Sequence, residues 1–326
     1  MRRLQLTAFG DAAKVIRLDS APAPSLAADD LLVQMEAAPM NRSDFMLIEG
    51  KYGVRPEFPY NVGSEGVGRV IGTGKAASAL DGKRVLILPT YEQGTWAEQT
   101  VVSSRNVVEV SDAADPVQLA MIGINPATAY LLLKQYTHLM PGDWIGQTAA
   151  NAAMGQYIVQ LAKLAGVKTL NVVRRQEAAD AVHAFGGDAV VLQADDLKHQ
   201  IEVALGSNRL SIAFDTLGGE PIGTLLQFVR DGGIGVGYGL QTGAFPKINP
   251  VDMYFRGLSF HGFWLIKWLR NAPRAEVQWT YQHLASLVAE GKLFAEVEQT
   301  YSLDHYPQAL AHAQTAERGG KILFRF

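Results

Sequence analysis

The sequence predicts an α/β protein of two domains, in which a β-rich domain is joined to a doubly wound parallel sheet. About the first 120 residues carry no long helical pattern and are punctuated by glycine and proline. From about Pro126 onward, strand and helix patterns alternate, which is typical of a parallel sheet covered by helices. Small residues between the first strand and the first helix of this second part indicate a ligand-binding turn at the sheet edge.

The β-rich part is predicted from short runs that end at turn-forming residues. Runs at 31–36, 66–71 and 83–88 have the composition and length of strands. The last residues, KILFRF, are predicted to form a terminal strand. Because we expect the chain to return to the first domain after about Trp264, the predicted domains are residues 1–122 with 265–326, and residues 123–264.

The second part is predicted to contain strands and helices in turn. The strands are expected at Asp143–Thr148, Lys168–Val173, Ala189–Leu192, Leu210–Asp215 and Leu258–Leu265, with a glycine-rich strand end at Gly232–Gly239. The helices are expected from Met154 to Ala165, at Glu177–Phe185, at Leu197–Leu205, after Pro221, and at Pro273–Glu290.

The turn after the strand Asp143–Thr148 has the character of a phosphate cradle. Ala149, Ala152 and Gly155 recur at the spacing where a dinucleotide-binding turn has glycines, and small residues let backbone amides approach a pyrophosphate. The next strand ends at Arg174 and Arg175, where an NAD site would place an acidic residue on the ribose. Guanidinium groups pair with a 2′-phosphate, so the sequence favours NADPH over NADH.

Composition excludes several classes of protein. The chain has 326 residues, 48% of them hydrophobic, and a formal net charge of −3, which gives no electrostatic footprint for nucleic acid. No apolar run reaches the roughly eighteen residues that a membrane helix needs, and the start lacks the apolar core of a signal peptide. We therefore expect a soluble cytoplasmic protein. The absence of cysteine excludes disulfides and thiolate chemistry.

Five stretches resemble the medium-chain dehydrogenase/reductases, and among them the zinc-free 2-enoyl thioester reductases and quinone oxidoreductases. They are APMNRSDFMLIEGKYG, NVGSEGVGRVIGTG, IGINPATAY, the phosphate-turn unit and FWLIKW. The resemblance implies a partly open β-barrel catalytic domain of the GroES type joined to a Rossmann domain, with the active site in the cleft between them. The zinc-dependent relatives carry Cys and His where this chain has Arg42 and Ser64. Asp44 and Glu65 alone do not complete a ligand set, so no metal is expected.

The resemblance also implies site residues. Tyr52, in GKYG, matches the active-site tyrosine of the enoyl reductases, as proton donor or as the group that orients the enolate left by hydride transfer. Asn41 is expected to hold the nicotinamide or to orient Tyr52, although a turn-forming role is also open. Trp264 and Trp268 would line the acyl pocket or serve as ordinary packing. Cofactor contacts are expected at Asn125, Asn151, Ala152, Ala153, Met154, Arg174, Arg175, Tyr238, Gly239, Leu240, Gln241, Phe263, Trp264, Leu265 and Lys321.

The function that this resemblance implies is NADPH-dependent reduction of trans-2-enoyl thioesters carried on CoA or on an acyl-carrier protein. Two alternatives remain open, an NADPH:quinone oxidoreductase and a catalytically silent dinucleotide-binding protein. A homodimer is expected because the apolar strand Leu258–Leu265 would lie at the edge of the parallel sheet, where it could pair with its twin.

Overall fold

The structure, a computed structural model, describes residues 1–315 and 318–326, and the chain divides into two compact units. The first unit comprises Met1–Ile124 and Ile266–Phe326, and the second comprises Asn125–Leu265. Gly123 and Ile124 belong to the first unit because both form hydrogen bonds with other residues of that unit. The Ile124 amide donates to Glu65 Oε2 over 2.9 Å, and the Tyr281 hydroxyl donates to the Gly123 carbonyl over 2.8 Å.

The first segment of the first unit is built from short strands and shorter helices. Its strands are β1 (Arg2–Leu6), β2 (Ile16–Ser20), β3 (Asp30–Pro39), β4 (Tyr60–Asn61), β5 (Gly66–Thr73), β6 (Arg84–Ile87), β7 (Gln99–Ser103) and β8 (Val107–Glu109). Its α-helices are α1 (Ala12–Val15), α2 (Arg42–Ile48) and α3 (Pro116–Ala120). The three strands predicted at 31–36, 66–71 and 83–88 correspond to β3, β5 and β6.

The second unit is a helix-covered parallel sheet, which confirms the predicted fold class. Its elements are α4 (Asn125–Gln135), β9 (Trp144–Thr148), α5 (Ala153–Leu164), β10 (Lys168–Val173), α6 (Gln176–Ala184), β11 (Ala189–Leu192), α7 (Leu197–Leu205), β12 (Leu210–Asp215), α8 (Glu220–Leu226), β13 (Val229–Gly237), α9 (Pro250–Arg256) and β14 (Ser259–Gly262). The strand order β11-β10-β9-β12-β13-β14, with every pair parallel, is the doubly wound order of dinucleotide-binding sheets.

The prediction of a strand over Leu258–Leu265 was wrong at its end. The strand β14 stops at Gly262, and a helix, α10 (Leu265–Asn271), begins three residues later. Leu265 and Ile266 are consecutive and both buried, which a strand with one buried face does not allow but a helix does. The helix α9 was not predicted from the sequence, although its two ends carry readable signals. Asn249 caps its first turn through Val251, and Gly257 ends it at a φ of 63°.

The chain completes the first unit with α11 (Arg274–Ala289), β15 (Val297–Tyr301), α12 (Tyr306–Ala313) and β16 (Lys321–Arg325). A three-stranded sheet has the order β2-β1-β4, and a larger sheet has the order β15-β16-β3-β5-β6-β8, with β7 also paired to β3. The strand β16 runs antiparallel to β3, with Phe324 opposite Ala38. This pairing brings the start of β16 beside the residues that follow β3, which positions Lys321 next to Asn41.

Within the described parts of the chain, every helix is too short or too polar to cross a membrane.

Candidate active site

Tyr52 lies on the loop between α2 and β4, as its glycine-flanked motif predicts. Its side chain is half-buried, and its ring centroid is 5.4 Å from that of Tyr91, with an angle of 44° between the ring planes. Gly50 has a φ of 71°, and a Cβ at this position would lie 2.9 Å from the Phe9 ring. A glycine is therefore needed where the chain leaves α2 and turns toward Tyr52.

Asn41 stands directly before α2 and is almost fully buried. Its backbone amide donates to Asp44 Oδ2 over 2.8 Å, which satisfies a donor at the start of the helix. Its side-chain amide donates to Glu65 Oε1 over 2.7 Å, and its side-chain oxygen accepts from Lys321 Nζ over 2.5 Å. Asn41 thus joins an ammonium group to a carboxylate. We call Lys321, Asn41 and Glu65 the charged network.

The charged network lies in the interior of the first unit. Lys321 also donates to the Met40 carbonyl over 3.2 Å, and the side chains of Glu65 and Lys321 are buried. Burial raises the pKa of Glu65 to about 7, although Lys321 and Asn41 act against it. Burial likewise lowers the pKa of Lys321 to about 8, and nearby Asp44 has its pKa raised by burial to about 6. The lysine that was expected to reach a cofactor phosphate is bonded to Asn41 and Met40. Its predicted phosphate contact stays a prediction.

The two positions that replace zinc ligands differ in their surroundings. The Arg42 side chain is exposed and pairs with Glu49 over 3.3 Å. Ser64 is fully buried beside Asp44, whose pKa it lowers, but its hydroxyl oxygen makes no hydrogen bond of normal geometry with the described residues. Across residues 1–315 and 318–326, no three His, Cys, Asp or Glu side chains converge in a way that could hold a metal ion.

The phosphate turn of the second unit has a backbone suited to an anion. Ala149, just after β9, has a φ of 51°, in the left-handed region. Gly155 cannot be replaced without strain, because a Cβ there would lie 2.5 Å from the Ala150 carbonyl oxygen. Ala152 precedes the 12-residue helix α5 and has no side chain that could cap it. The backbone amides in the first turn of α5, at Ala153 and Met154 after Asn151, are therefore left without a capping side chain and are suited to bind a pyrophosphate. The backbone of this turn fits a dinucleotide.

A buried group of uncharged side chains forms hydrogen bonds to this turn and to one another. Gln147 donates to the Gly155 carbonyl over 3.1 Å and to Asn171 Oδ1 over 2.7 Å. The Asn171 amide in turn donates to Thr169 Oγ1 over 2.9 Å and to the Ala189 carbonyl over 3.0 Å. We call Gln147, Asn171 and Thr169 the amide network. The amide network was not predicted from the sequence, although a glutamine inside an apolar strand is a visible signal.

The other predicted cofactor residues of the second unit come directly after the carboxyl ends of strands in its parallel sheet. Arg174 and Arg175 are exposed directly after β10, and Arg175 stands at the start of α6. Tyr238, Gly239, Leu240 and Gln241 come after β13, and Phe263, Trp264 and Leu265 come after β14. A Cβ at Gly239 would lie 2.3 Å from Thr216 Oγ1, and the Tyr238 hydroxyl is buried without a partner among the described residues.

The two remaining predicted residues begin or occupy helices. Asn125 is the first residue of α4, in the second unit. Trp268 lies on α10 in the first unit, where its ring is 6.4 Å from the Tyr281 ring and its indole donates to Glu276 over 3.2 Å. Trp264 and Trp268 therefore belong to different units, and a shared acyl pocket stays a prediction.

The chain matches two family models, an alcohol dehydrogenase GroES-like domain over residues 27–112 and a zinc-binding dehydrogenase domain over residues 153–284. It is 32% identical over 315 residues to the mitochondrial enoyl-[acyl-carrier-protein] reductase of Rattus norvegicus, covering 95% of this chain and 84% of the relative. The chain belongs to the medium-chain dehydrogenase/reductase family, and it is an oxidoreductase with a GroES-like unit and a Rossmann unit.

Solved structures show the same fold along the whole chain. A crystal structure from Bacillus thuringiensis, described provisionally as an NADPH:quinone reductase, has a TM-score of 0.91 and 27% identity, covering 100% of this chain and 98% of that one. The quinone oxidoreductase of Escherichia coli, complexed with NADPH, has a TM-score of 0.89 and 21% identity, with both chains covered completely.

Proposed function

We propose that this protein uses NADPH to reduce the 2,3 double bond of trans-2-enoyl thioesters, carried on CoA or on an acyl-carrier protein. The observation that carries the proposal is the phenol of Tyr52, half-buried on its loop and backed by the buried Tyr91. The relative from Rattus norvegicus, named as an enoyl-[acyl-carrier-protein] reductase, supports the same substrate class at 32% identity.

NADPH is proposed as the cofactor because the second unit fits it at several positions. The uncapped turn before α5 would hold the pyrophosphate, and the exposed guanidinium groups of Arg174 and Arg175 would pair with the 2′-phosphate. The description of the Bacillus thuringiensis protein as an NADPH-dependent reductase supports this choice. When bound, the nicotinamide supplies a hydride to the β-carbon of the substrate.

The chain's own part in the reaction is to handle the negative charge and the proton. Hydride addition to the β-carbon leaves an enolate, whose oxygen needs donors and whose α-carbon needs a proton. Tyr52 delivers that proton, or orients the enolate by hydrogen bonding. Asn41 contributes to the position of Tyr52. It connects Lys321 and Glu65 by hydrogen bonds at the start of α2, the helix that leads into the Tyr52 loop.

Quinone reduction is the second candidate, since the Bacillus thuringiensis protein carries that description at 27% identity. It would use the same cofactor residues with a flat aromatic acceptor. A quinone needs no proton at an α-carbon, so the two functions make different demands on Tyr52.

The test compares Tyr52→Phe with wild type in an NADPH-oxidation assay on crotonyl-CoA and on a naphthoquinone. If Tyr52 is the general acid, kcat on crotonyl-CoA should fall by about 10²- to 10⁴-fold, while NADPH affinity and quinone turnover change little. Tyr301→Phe is a matched control, because it also removes a hydrogen-bonded phenol hydroxyl, whose partner is His312 on α12 and not a residue of the proposed site. Full activity of Tyr52→Phe on crotonyl-CoA would refute the proposed donor.

The assembly that we propose is a homodimer. The strand β14 is the last strand of the sheet as described, with His261 and Gly262 exposed. An exposed edge strand can extend its sheet by pairing with a second copy. The cytoplasmic location that the sequence favours stays a prediction.

A further inference from the structure

Tyr91 is a buried tyrosine whose hydroxyl is not satisfied. Its side chain is only 7% exposed, and its hydroxyl oxygen makes no hydrogen bond of normal geometry within the part of the chain that the structure describes. Burying an unpaired hydroxyl costs stability, and phenylalanine would fill the same space without that cost. A tyrosine at this position therefore calls for an explanation other than packing.

The backbone holds Tyr91 in an unfavourable conformation. Its φ is 62°, in the left-handed region that residues other than glycine, asparagine and aspartate rarely adopt. The Tyr60 hydroxyl donates to the Tyr91 carbonyl over 3.0 Å, which helps to hold the backbone there. Such strained conformations cluster at functional sites, where the surrounding structure maintains them.

The surroundings of the Tyr91 hydroxyl point to the function. Burial raises the pKa of this phenol well above its usual range, and Tyr52 and Asp44 raise it further, whereas Ser43 lowers it. Tyr91 consequently stays protonated and remains a hydrogen-bond donor in the working pH range. Tyr52 packs against Tyr91 with ring centroids 5.4 Å apart, and the other polar or titratable side chains near the Tyr91 hydroxyl are Ser43 and Asp44 of α2.

We propose that Tyr91 is a positioning residue, which donates a hydrogen bond to the Tyr52 hydroxyl oxygen and stabilises the phenolate that forms when Tyr52 gives up its proton. This inference rests on the proposed function. The Tyr52 O–H bond breaks as a C–H bond forms at the α-carbon, and the hydride from NADPH supplies the two electrons to the β-carbon. Tyr91 keeps its own proton throughout, and Tyr52 regains one from solvent.

The experiment measures Tyr91→Phe, Tyr52→Phe and the double variant with crotonyl-CoA and NADPH, with Tyr301→Phe as the control. Loss of a hydrogen bond to a charged group predicts a fall in kcat of about ten- to a hundredfold for Tyr91→Phe. The KM of Tyr91→Phe for NADPH should equal that of wild type. Its melting temperature should be unchanged or higher. The alkaline limb of the kcat profile should move to higher pH, because Tyr52 loses the donor that stabilises its phenolate.

The double variant separates this inference from the proposed function. If Tyr91 acts through Tyr52, adding Tyr91→Phe to Tyr52→Phe causes no further loss. If the two losses multiply independently, or if Tyr91→Phe has wild-type kcat while Tyr52→Phe is impaired, the inference is overturned and the proposed function stands. If Tyr52→Phe itself retains full activity on crotonyl-CoA, the role of Tyr52 in the proposed function is refuted, and the inference about Tyr91 is refuted with it.

Discussion

Each unit of this protein contains a buried polar network centred on an asparagine, and the two networks differ in charge. In the first unit, Asn41 bridges the ammonium of Lys321 and the carboxylate of Glu65. In the second unit, Asn171 bridges the amide of Gln147 and the hydroxyl of Thr169, all of them uncharged. Both asparagines are buried, so the charge of the partners is the main difference between them.

The difference determines what each network can tolerate. A neutral group that loses its partner in a buried site costs one unmade hydrogen bond, whereas a buried ion that loses its partner keeps the full cost of desolvation. The amide network therefore acts as a support for the phosphate turn, through the bond from Gln147 to the Gly155 carbonyl. The charged network depends on every member and responds to pH.

The matched substitutions Asn41→Leu and Asn171→Leu should show this difference most strongly. Asn41→Leu removes the hydrogen bonds to Glu65 and to Lys321, both of them to charged groups, and should lower the free energy of unfolding by about 3 to 5 kcal/mol. Asn171→Leu leaves only neutral groups unpaired and should cost about 1 to 3 kcal/mol. Urea denaturation at about pH 7.5, between the pKa values of Glu65 and Lys321, measures both. An equal or larger loss for Asn171→Leu would show that charge is not the deciding property.

The same contrast explains what the sequence could predict. In the second unit, β10, β11, β12 and α7 have the predicted bounds residue for residue, because their patterns are local in the chain. The charged network joins residues 280 positions apart, and it forms because β16 pairs with β3. No local pattern specifies that pairing. Tyr91 was missed for the same reason, since only the folded loop brings it against Tyr52.

Charges on the surface of the second unit should affect binding without affecting stability. Arg174 and Arg175 are exposed, so the double variant Arg174→Ala/Arg175→Ala should change the free energy of unfolding by no more than about 0.5 kcal/mol. Loss of a charge-assisted partner of the 2′-phosphate should weaken NADPH binding by about 1.5 to 3 kcal/mol, roughly ten- to a hundredfold. Calorimetric titration with NADPH and NADH measures the effect, and unchanged NADPH affinity would refute the assignment.

The smallest expected effect is the pH dependence of stability that Glu65 confers. Its pKa is raised from 4.5 to about 7 in the folded protein. Between these values the folded protein holds a proton that the unfolded chain releases, so stability falls as pH rises, and outside this window Glu65 contributes no slope. Asp44 acts with the same sign between 3.8 and about 6, while Lys321, lowered to about 8, titrates above the window.

The contribution of Glu65 is therefore cleanest between pH 6 and 7. Denaturation of wild type and Glu65→Gln across this interval should show a wild-type fall in the free energy of unfolding on the order of 1 kcal/mol that the variant lacks. Glutamine cannot ionise, and its single oxygen cannot replace the two oxygens that accept from Asn41 and the Ile124 amide, so the slope rather than the absolute stability is the informative quantity. Asn171→Leu should keep the wild-type slope. Identical slopes in wild type and Glu65→Gln would mean that Glu65 stays ionised, and that Lys321, acting through Asn41, holds it so despite burial.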